Sequence, residues 1–255
     1  MPLTLSVAII TKDEEANLAR TLESVRWADQ IVIVDSGSTD RTAEIARAFG
    51  AKFFSEEWKS FGAQKNSAIV KCSSDWILAL DADEEVSTEL AQEIRGLLSR
   101  SPTEEAYFLP RRNFFLGRWI RHGGYYPDRK LRLFRKGGCQ FEESIVHETI
   151  RPPGTAGYLR GDLLHHAYPA LDAYIEHMNR YSSLGATQVV GRGKTSRNIL
   201  SFCWNVFIVP IATFKYNYLL RLGFLDGREG LLLHLYHSAY VSWKYAKAWE
   251  WSRKP

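Results

Sequence analysis

The chain has 255 residues, 45% of them hydrophobic, which is enough for one large or two small domains and excludes a disordered protein. Formal net charge is +4 but unevenly spread: residues 1–150 carry 20 Lys and Arg against 23 Asp and Glu, and 151–255 carry 13 against 6. The basic C-terminal part points to an anionic partner, either a membrane surface or a phosphorylated substrate. No nucleic acid is expected, because no recognition motif for one accompanies the charge. Cys72, Cys139 and Cys203 are scattered singly, which fits a reducing cytoplasm, and MPLTLSVAIITKDEE lacks the basic leader of an exported protein.

LTLSVAII (3–10) and QIVIVDS (30–36) are β-branched runs that predict strands, and EEANLARTLESVRWAD between them sets Leu18, Leu22 and Val25 at helical spacing. A second helix is expected over about 39–49, with Ser38, Thr39 and Asp40 suited to its start and Gly50 to its end. AKFFSE predicts a strand, AQKNSAIVKC a third helix, and DWILAL a buried strand. This alternation predicts an α/β fold with a parallel, doubly wound, Rossmann-like sheet, whose ligands bind beyond the carboxyl ends of the strands. Short extended pieces between 107 and 150 (AYFLP, KLRLFR, IVHETI) predict a mixed, partly antiparallel extension. From about 170 the chain reads as helical and aromatic, so the expected division is a domain over 1–168 and a helical region over 169–255.

Acidic groups fall at the predicted strand ends: Asp13-Glu14, Asp35, and Asp81-Ala82-Asp83 within WILALDADEE. Charged side chains are rarely buried unpaired, so an apolar run ending in two aspartates marks a surface turn or a binding site. In extended chain, residues two apart point to one side, and two carboxylates so placed hold a Mg2+ or Mn2+ ion that also meets phosphates. The plainer alternative is a solvated loop before a helix whose first turn carries Glu84 and Glu85 for the helix dipole. In VDSGSTDRT, Ser38, Thr39 and Asp40 suit capping alone. Asp35 at the strand tip is needed by no cap and can accept hydrogen bonds from a base or ribose.

Taken together, AIITKDEEANL, IVIVDSGSTDRT, FGAQKNSAI and WILALDADE, in that order over about residues 5–90, resemble the family-two inverting glycosyltransferases with the A-type nucleotide-sugar fold. The later RLFRKGG, FEESIVHETI, LLHHAYPALDAY and GFLDGREG look like the bacterial members that add glucose to the heptose of the lipopolysaccharide inner core. One departure is Lys12-Asp13-Glu14 in the first loop, where asparagine is commoner at the middle position. The resemblance implies that Thr11, Lys12, Glu14, Asp35, Asp81 and Ala82 contact a nucleotide diphosphate sugar, a UDP-sugar in this reading. It also implies that Asp83, with Asp81, binds a divalent cation, Mg2+ or Mn2+. Lys65 either reaches the same nucleotide or is an exposed helix lysine. His165 and His166 are adjacent on a predicted strand, so at most one faces the site. His165 would complete the metal shell or touch the diphosphate, or else be a structural histidine.

The implied displacement needs a base for the acceptor hydroxyl, and Glu148 or His147 supplies it; the alternative for Glu148 is a salt bridge with Arg129 or Arg132. Nine Lys and Arg and one acid, Asp128, lie in 111–136, interleaved with Trp119, Tyr125 and Tyr126. Such a cluster is self-repelling without an anionic partner, so Arg112, Arg129 and Arg132 are expected to position an anionic glycolipid acceptor or the diphosphate. ILSFCWNVFIVPIATF (199–214) is free of charge and broken by Pro210. It is shorter than the ~20 residues that span a bilayer, so an interfacial or re-entrant helix is expected, with a buried core helix as the alternative. Aromatic and basic residues alternate in LHLYHSAYVSWKYAKAWEWSRK, as suits a membrane–water boundary.

The expectation is a metal-dependent hexosyltransferase, peripheral on the cytoplasmic face of the inner membrane, that moves a hexose, glucose by the resemblance, to an inner-core glycolipid. Two rival readings stay open. One is transfer to a polyprenyl phosphate, whose enzymes usually carry two or more complete C-terminal spans. The other is a non-catalytic sugar-nucleotide-binding protein.

Overall fold

The computed structural model describes residues 3–100, 102–142, 150, 152, 154–193, 195, 196 and 198–253. They form two compact units, one of residues 1–112 with 128–166, the other of 113–127 with 167–255. Segment 113–127, which precedes the expected boundary at 168, thus belongs with the C-terminal helices.

In the first unit, strands β1 (Leu5–Thr11), β2 (Gln30–Asp35), β3 (Lys52–Ser55) and β4 (Trp76–Asp81) lie parallel in the order β3-β2-β1-β4. Helices α1 (Leu18–Ser24), α2 (Thr42–Ala48) and α3 (Phe61–Lys71) connect them. The sheet continues from β4 through β8 (Asp128–Arg135), β6 (Ala106–Phe115), β10 (Leu163–Tyr168) and β5 (Glu84–Val86). Here β8 is antiparallel to β4 and β6, and β5 to β10, while β9 (Ala156–Tyr158) and β7 (Arg118–Trp119) flank β6. This is the parallel sheet with a mixed extension expected from the sequence, with AYFLP in β6 and KLRLFR in β8; of IVHETI, residues 145–149 lie outside the described residues.

The period-two alternation of each strand divides its side chains between two cores. Leu5, Val7 and Ile9 of β1 and Trp76, Leu78 and Leu80 of β4 pack with Leu18 and Leu22 of α1 and with Leu90 and Ile94 of α4 (Thr88–Leu98). Ala8, Ile77 and Ala79 face the other way, onto Ala68 and Ile69 of α3. Burial on both faces explains why these strands read as continuous apolar runs, each buried aliphatic contributing about 1.5–3 kcal/mol relative to exposure.

Several local expectations are corrected. Helix α1 spans seven residues, shorter than its helical pattern. Of the three capping candidates for α2, Asp40 serves the helix, accepting the Thr42 N–H at 2.9 Å. Ser38 and Thr39 instead bind the first loop: the Ser38 hydroxyl accepts the Asp13 N–H at 2.8 Å, and Asp13 accepts the Thr39 N–H at 2.7 Å. Gly50 ends α2 in the left-handed region, at φ 72°. Glu84 and Glu85 do not open a helix. They form β5, and α4 starts after Ser87, whose hydroxyl accepts the Leu90 N–H at 3.2 Å.

The second unit has helix α5 (Leu171–Gly191), a helical run over Ile199–Leu220, and a C-terminal helix over Gly227–Trp251. Phe115, Ile120, Tyr174 and Leu233 form its small core. The run Ile199–Leu220 passes through Lys215 and reaches 22 residues. At 1.5 Å per residue that is about 33 Å. It is therefore long and apolar enough to cross a membrane by length and composition, and longer than the apolar segment 199–214 suggested. Only 11% of its most apolar stretch is buried, with Trp204 61% and Phe207 55% exposed, so it is not a buried core helix.

Candidate active site

Parallel pairing brings the strand tips together: Thr11 stands opposite Asp35, and Ile10 opposite Asp81. Asp35 is buried, and its carboxylate organises its own loop. One oxygen accepts the Thr11 hydroxyl at 2.8 Å and the Ser38 hydroxyl, and the other accepts the N–H groups of Gly37 (2.9 Å) and Ser38 (2.8 Å). The turn uses Asp35 fully, although no helix cap does, so a base or ribose would compete with bonds already made. Lys12 reaches the Gly37 carbonyl and lies 3.5 Å from Asp13. Glu14 accepts the Asn17 amide at 3.0 Å, and burial, reinforced by the charges of Asp83 and Asp81, raises its carboxyl above the ordinary range.

The Asp81-Ala82-Asp83 turn is held from four sides. Asp81 pairs with Lys65 at 2.7 Å and, through its other oxygen, with Arg132. Burial alone would raise its carboxyl, but the Arg132 and Lys65 cations outweigh burial and hold it well below the usual value. Lys65 is buried on α3 and is not an exposed helix lysine. The Ala82 carbonyl accepts the Thr21 hydroxyl at 2.7 Å, and the Asp83 carbonyl accepts the His166 N–H at 3.1 Å. Behind the turn, fully buried Glu84 accepts the Asp81 N–H at 3.0 Å and bonds from Arg132 (2.9 Å) and Arg111 (3.1 Å). Arg111 also pairs with Asp128 at 2.7 Å, and Arg111 and Lys130 overcome burial to bring the Asp128 carboxyl to about 2.

Asp83 differs from Asp81 in its surroundings. Its carboxylate faces His165 at 3.3 Å, and the bond to His165 lowers its pKa against the effect of burial. His166 turns the opposite way, to Glu85 at 3.3 Å, as adjacent strand residues must. Thus Asp81, Glu84 and Asp128 meet Lys65, Arg111, Arg132 and Lys130, four cations against three acids, whereas no such fixed cation of the described residues is paired with Asp83. Among the described residues no group of three His, Cys, Asp or Glu is placed to hold a metal ion. Asp81, expected in the metal set with Asp83 and His165, has both oxygens committed to protein cations. The Asp83 carboxylate supplies the oxygen donors that suit Mn2+ or Mg2+, with the imidazole nitrogen of His165 beside it.

Part of the basic segment 111–136 is engaged within the protein, while Arg118, Arg121, Arg129 and Lys136 are exposed. Arg112 pairs with Asp162, Arg132 is buried on Asp81 and Glu84, Arg135 meets Glu105 at 3.2 Å, and Arg129 lies 4.9 Å from the Tyr158 ring centroid. For Arg112, Arg132 and Arg135 the repulsion is relieved by acids distant in sequence. His147 and Glu148 lie outside the described residues.

Residues 6–162 match the family model Glycosyl transferase family 2. The chain belongs to this family. It is 37% identical over 237 residues to the lipopolysaccharide core biosynthesis glycosyltransferase LpsC of Rhizobium meliloti, covering 88% of this chain and 82% of that protein. It is 31% identical to the glycosyltransferase RT0209 of Rickettsia typhi, covering 76% and 70%. Among solved structures, the mannosyltransferase PcManGT from Pyrobaculum calidifontis, in complex with GDP-Man and Mn2+, aligns over 100% of this chain and 89% of its own at 14% identity and a TM-score of 0.57. That likeness shows the A-type glycosyltransferase fold.

Within this glycosyltransferase framework, sequence reasoning did not place Glu84, Arg111 and Asp128 together behind the Asp81 turn. The signal for Glu84 was present: a third acid directly after the two aspartates, in a segment too short to start a helix before Ser87.

Proposed function

We propose that the protein transfers a hexose, with inversion at the anomeric carbon, from a nucleotide diphosphate sugar to an inner-core lipopolysaccharide acceptor. The observation that carries the reading is the turn at the carboxyl edge of the parallel sheet, in which Asp81 is balanced by Lys65 and Arg132 while Asp83 faces His165. In this reading Thr11, Lys12, Glu14, Asp35, Lys65, Asp81 and Ala82 surround the nucleotide. Asp83 and His165 would hold a divalent cation, which supplies charge neutralisation on the departing diphosphate. Glu148, or His147 beside it, takes the proton from the acceptor hydroxyl as the new bond forms. The donor assignment is supported by family membership and by the fold shared with a mannosyltransferase solved with GDP-Man and Mn2+. The acceptor assignment is supported by the relative named for lipopolysaccharide core biosynthesis. The exposed apolar run Ile199–Leu220 supports attachment to a membrane, which this reading takes as the cytoplasmic face of the inner membrane.

The test is thermal stabilisation by UDP, GDP, ADP and CMP, each with Mn2+, Mg2+ or EDTA. A ligand at about 100 times its Kd adds about 2.7 kcal/mol to the folded state, which for a chain of this size is about 5–11 °C in Tm. A metal-dependent rise with one nucleoside diphosphate is expected; no rise with any of them would overturn the donor site.

A further inference from the structure

Glu84 has no task in the donor site as described, yet it is the most completely buried carboxylate there, at 0% exposure. A buried carboxylate is costly unless every lone pair is used. Its oxygens divide their work: one accepts the Asp81 N–H at 3.0 Å, and the other accepts from Arg132 at 2.9 Å and Arg111 at 3.1 Å. The nitrogen of Arg132 that reaches Glu84 is the same one that reaches the Asp81 carboxylate. Glu84 therefore grips Asp81 twice, at its backbone directly and at its side chain through Arg132. It also starts β5, where it pairs with His165 of β10, the residue facing Asp83. One side chain thus sits where the Asp81 backbone, the Asp81 carboxylate and the strand bearing His165 meet.

We infer that Glu84 is the positioning residue of the Asp81-Ala82-Asp83 turn, setting the orientation of Asp81 and Asp83 and hence the affinity for the nucleoside diphosphate. This rests on the donor-site reading above. Charge alone predicts the opposite effect of removing it. Glu84→Gln leaves Lys65, Arg111, Arg132 and Lys130 against Asp81 and Asp128, an enlarged surplus of positive charge that should favour an anionic ligand. Positioning predicts weaker binding, because the amide cannot accept from the Asp81 N–H and the two arginines together. Hydrogen-bond partners of ligating carboxylates are typically worth about 10- to 100-fold in affinity or activity.

The experiment is calorimetric titration of the full chain with UDP and with GDP, each in EDTA and in Mn2+. It compares the wild type with Glu84→Gln, Glu84→Asp and Leu98→Ala. Leu98 lies in the core on α4 and serves as the control for lost stability alone. The expected result is about 10- to 100-fold weaker binding of the preferred nucleotide by Glu84→Gln, in EDTA as well as in Mn2+, with Leu98→Ala unchanged. If Glu84→Gln fails to fold, Glu84→Asp decides alone: it keeps the charge, withdraws the carboxylate by one methylene, and should weaken binding similarly. Binding by the glutamate variants within twofold of the wild type, or tighter, overturns the inference and leaves the donor site standing. Failure of the wild type to bind UDP or GDP, together with no stabilisation by any of the four nucleotides above, overturns the donor site and the inference with it.

Discussion

Replacing Arg132 with methionine tests the buried charge network directly, because it keeps a long side chain and removes the cation shared by Asp81 and Glu84. In the native protein Arg132 is 7% exposed at its side chain and pairs with both carboxylates. Breaking a buried pair by deleting one partner typically costs about 3–5 kcal/mol. Two features place this case at the lower end: Asp81 keeps Lys65 and 29% side-chain exposure, and Glu84 keeps Arg111. A loss of about 3 kcal/mol corresponds to about 6–12 °C in Tm for a domain of this size. The loss should also depend on pH. The Asp81 carboxyl is held well below its ordinary value, so its pairing stabilises the fold above that value and ceases to do so as pH falls through the depressed one. Without Arg132, burial is opposed by less positive charge and the carboxyl titrates at higher pH. The deficit of the variant should therefore be greatest near pH 7.5 and shrink towards about pH 4, as its Asp81 takes up a proton. Calorimetric melting of both proteins from pH 7.5 to 4 measures this. A drop below about 2 °C at pH 7.5, or a deficit that stays constant with pH, would refute the account of the network.

Asp83→Ala should abolish transfer and remove the metal-dependent part of nucleotide binding while leaving the fold intact, since Asp83 lies in a turn and its carboxylate faces His165; metal-dependent turnover surviving in this variant would end the role of Asp83 as a metal ligand. Glu148→Gln should lower turnover by ~10² or more with donor binding nearly unchanged, as expected for a lost general base, and near-normal turnover would move that role to His147 or Asp128. The exposed residues Trp204, Phe207 and Ile208 should hold the protein on anionic liposomes by a salt-resistant contribution, and nearby basic residues by a salt-sensitive one. In flotation, replacing all three with serine should remove the salt-resistant part, and a wild type that never floats would sink the membrane assignment.

Local pattern carried much of this protein. The apolar runs determined β1, β2 and β4, because strands buried on both faces must be apolar throughout. Gly50 marked the end of α2 through its freedom at positive φ, and the acids at the strand tips marked the ligand edge. The order of these motifs was enough to indicate the family to which the chain belongs. Only the tertiary structure decided what each charge does. Arg132 meets Asp81 across 51 positions of sequence and Arg111 meets Glu84 across 27, so a segment that reads as a repelling basic patch becomes the counter-charge of an acidic turn. Asp35 looked free because its partners Thr11, Gly37 and Ser38 meet it only once β1 and β2 pair and the next loop closes. Glu84 read as the start of a helix because helix-dipole preference is local, whereas its place in β5 depends on pairing with β10, some eighty residues later. Periodicity is written in neighbouring residues and survives reading one segment at a time; the pairing of buried charges is a contact between distant segments, and it exists only after the sheet has brought them together.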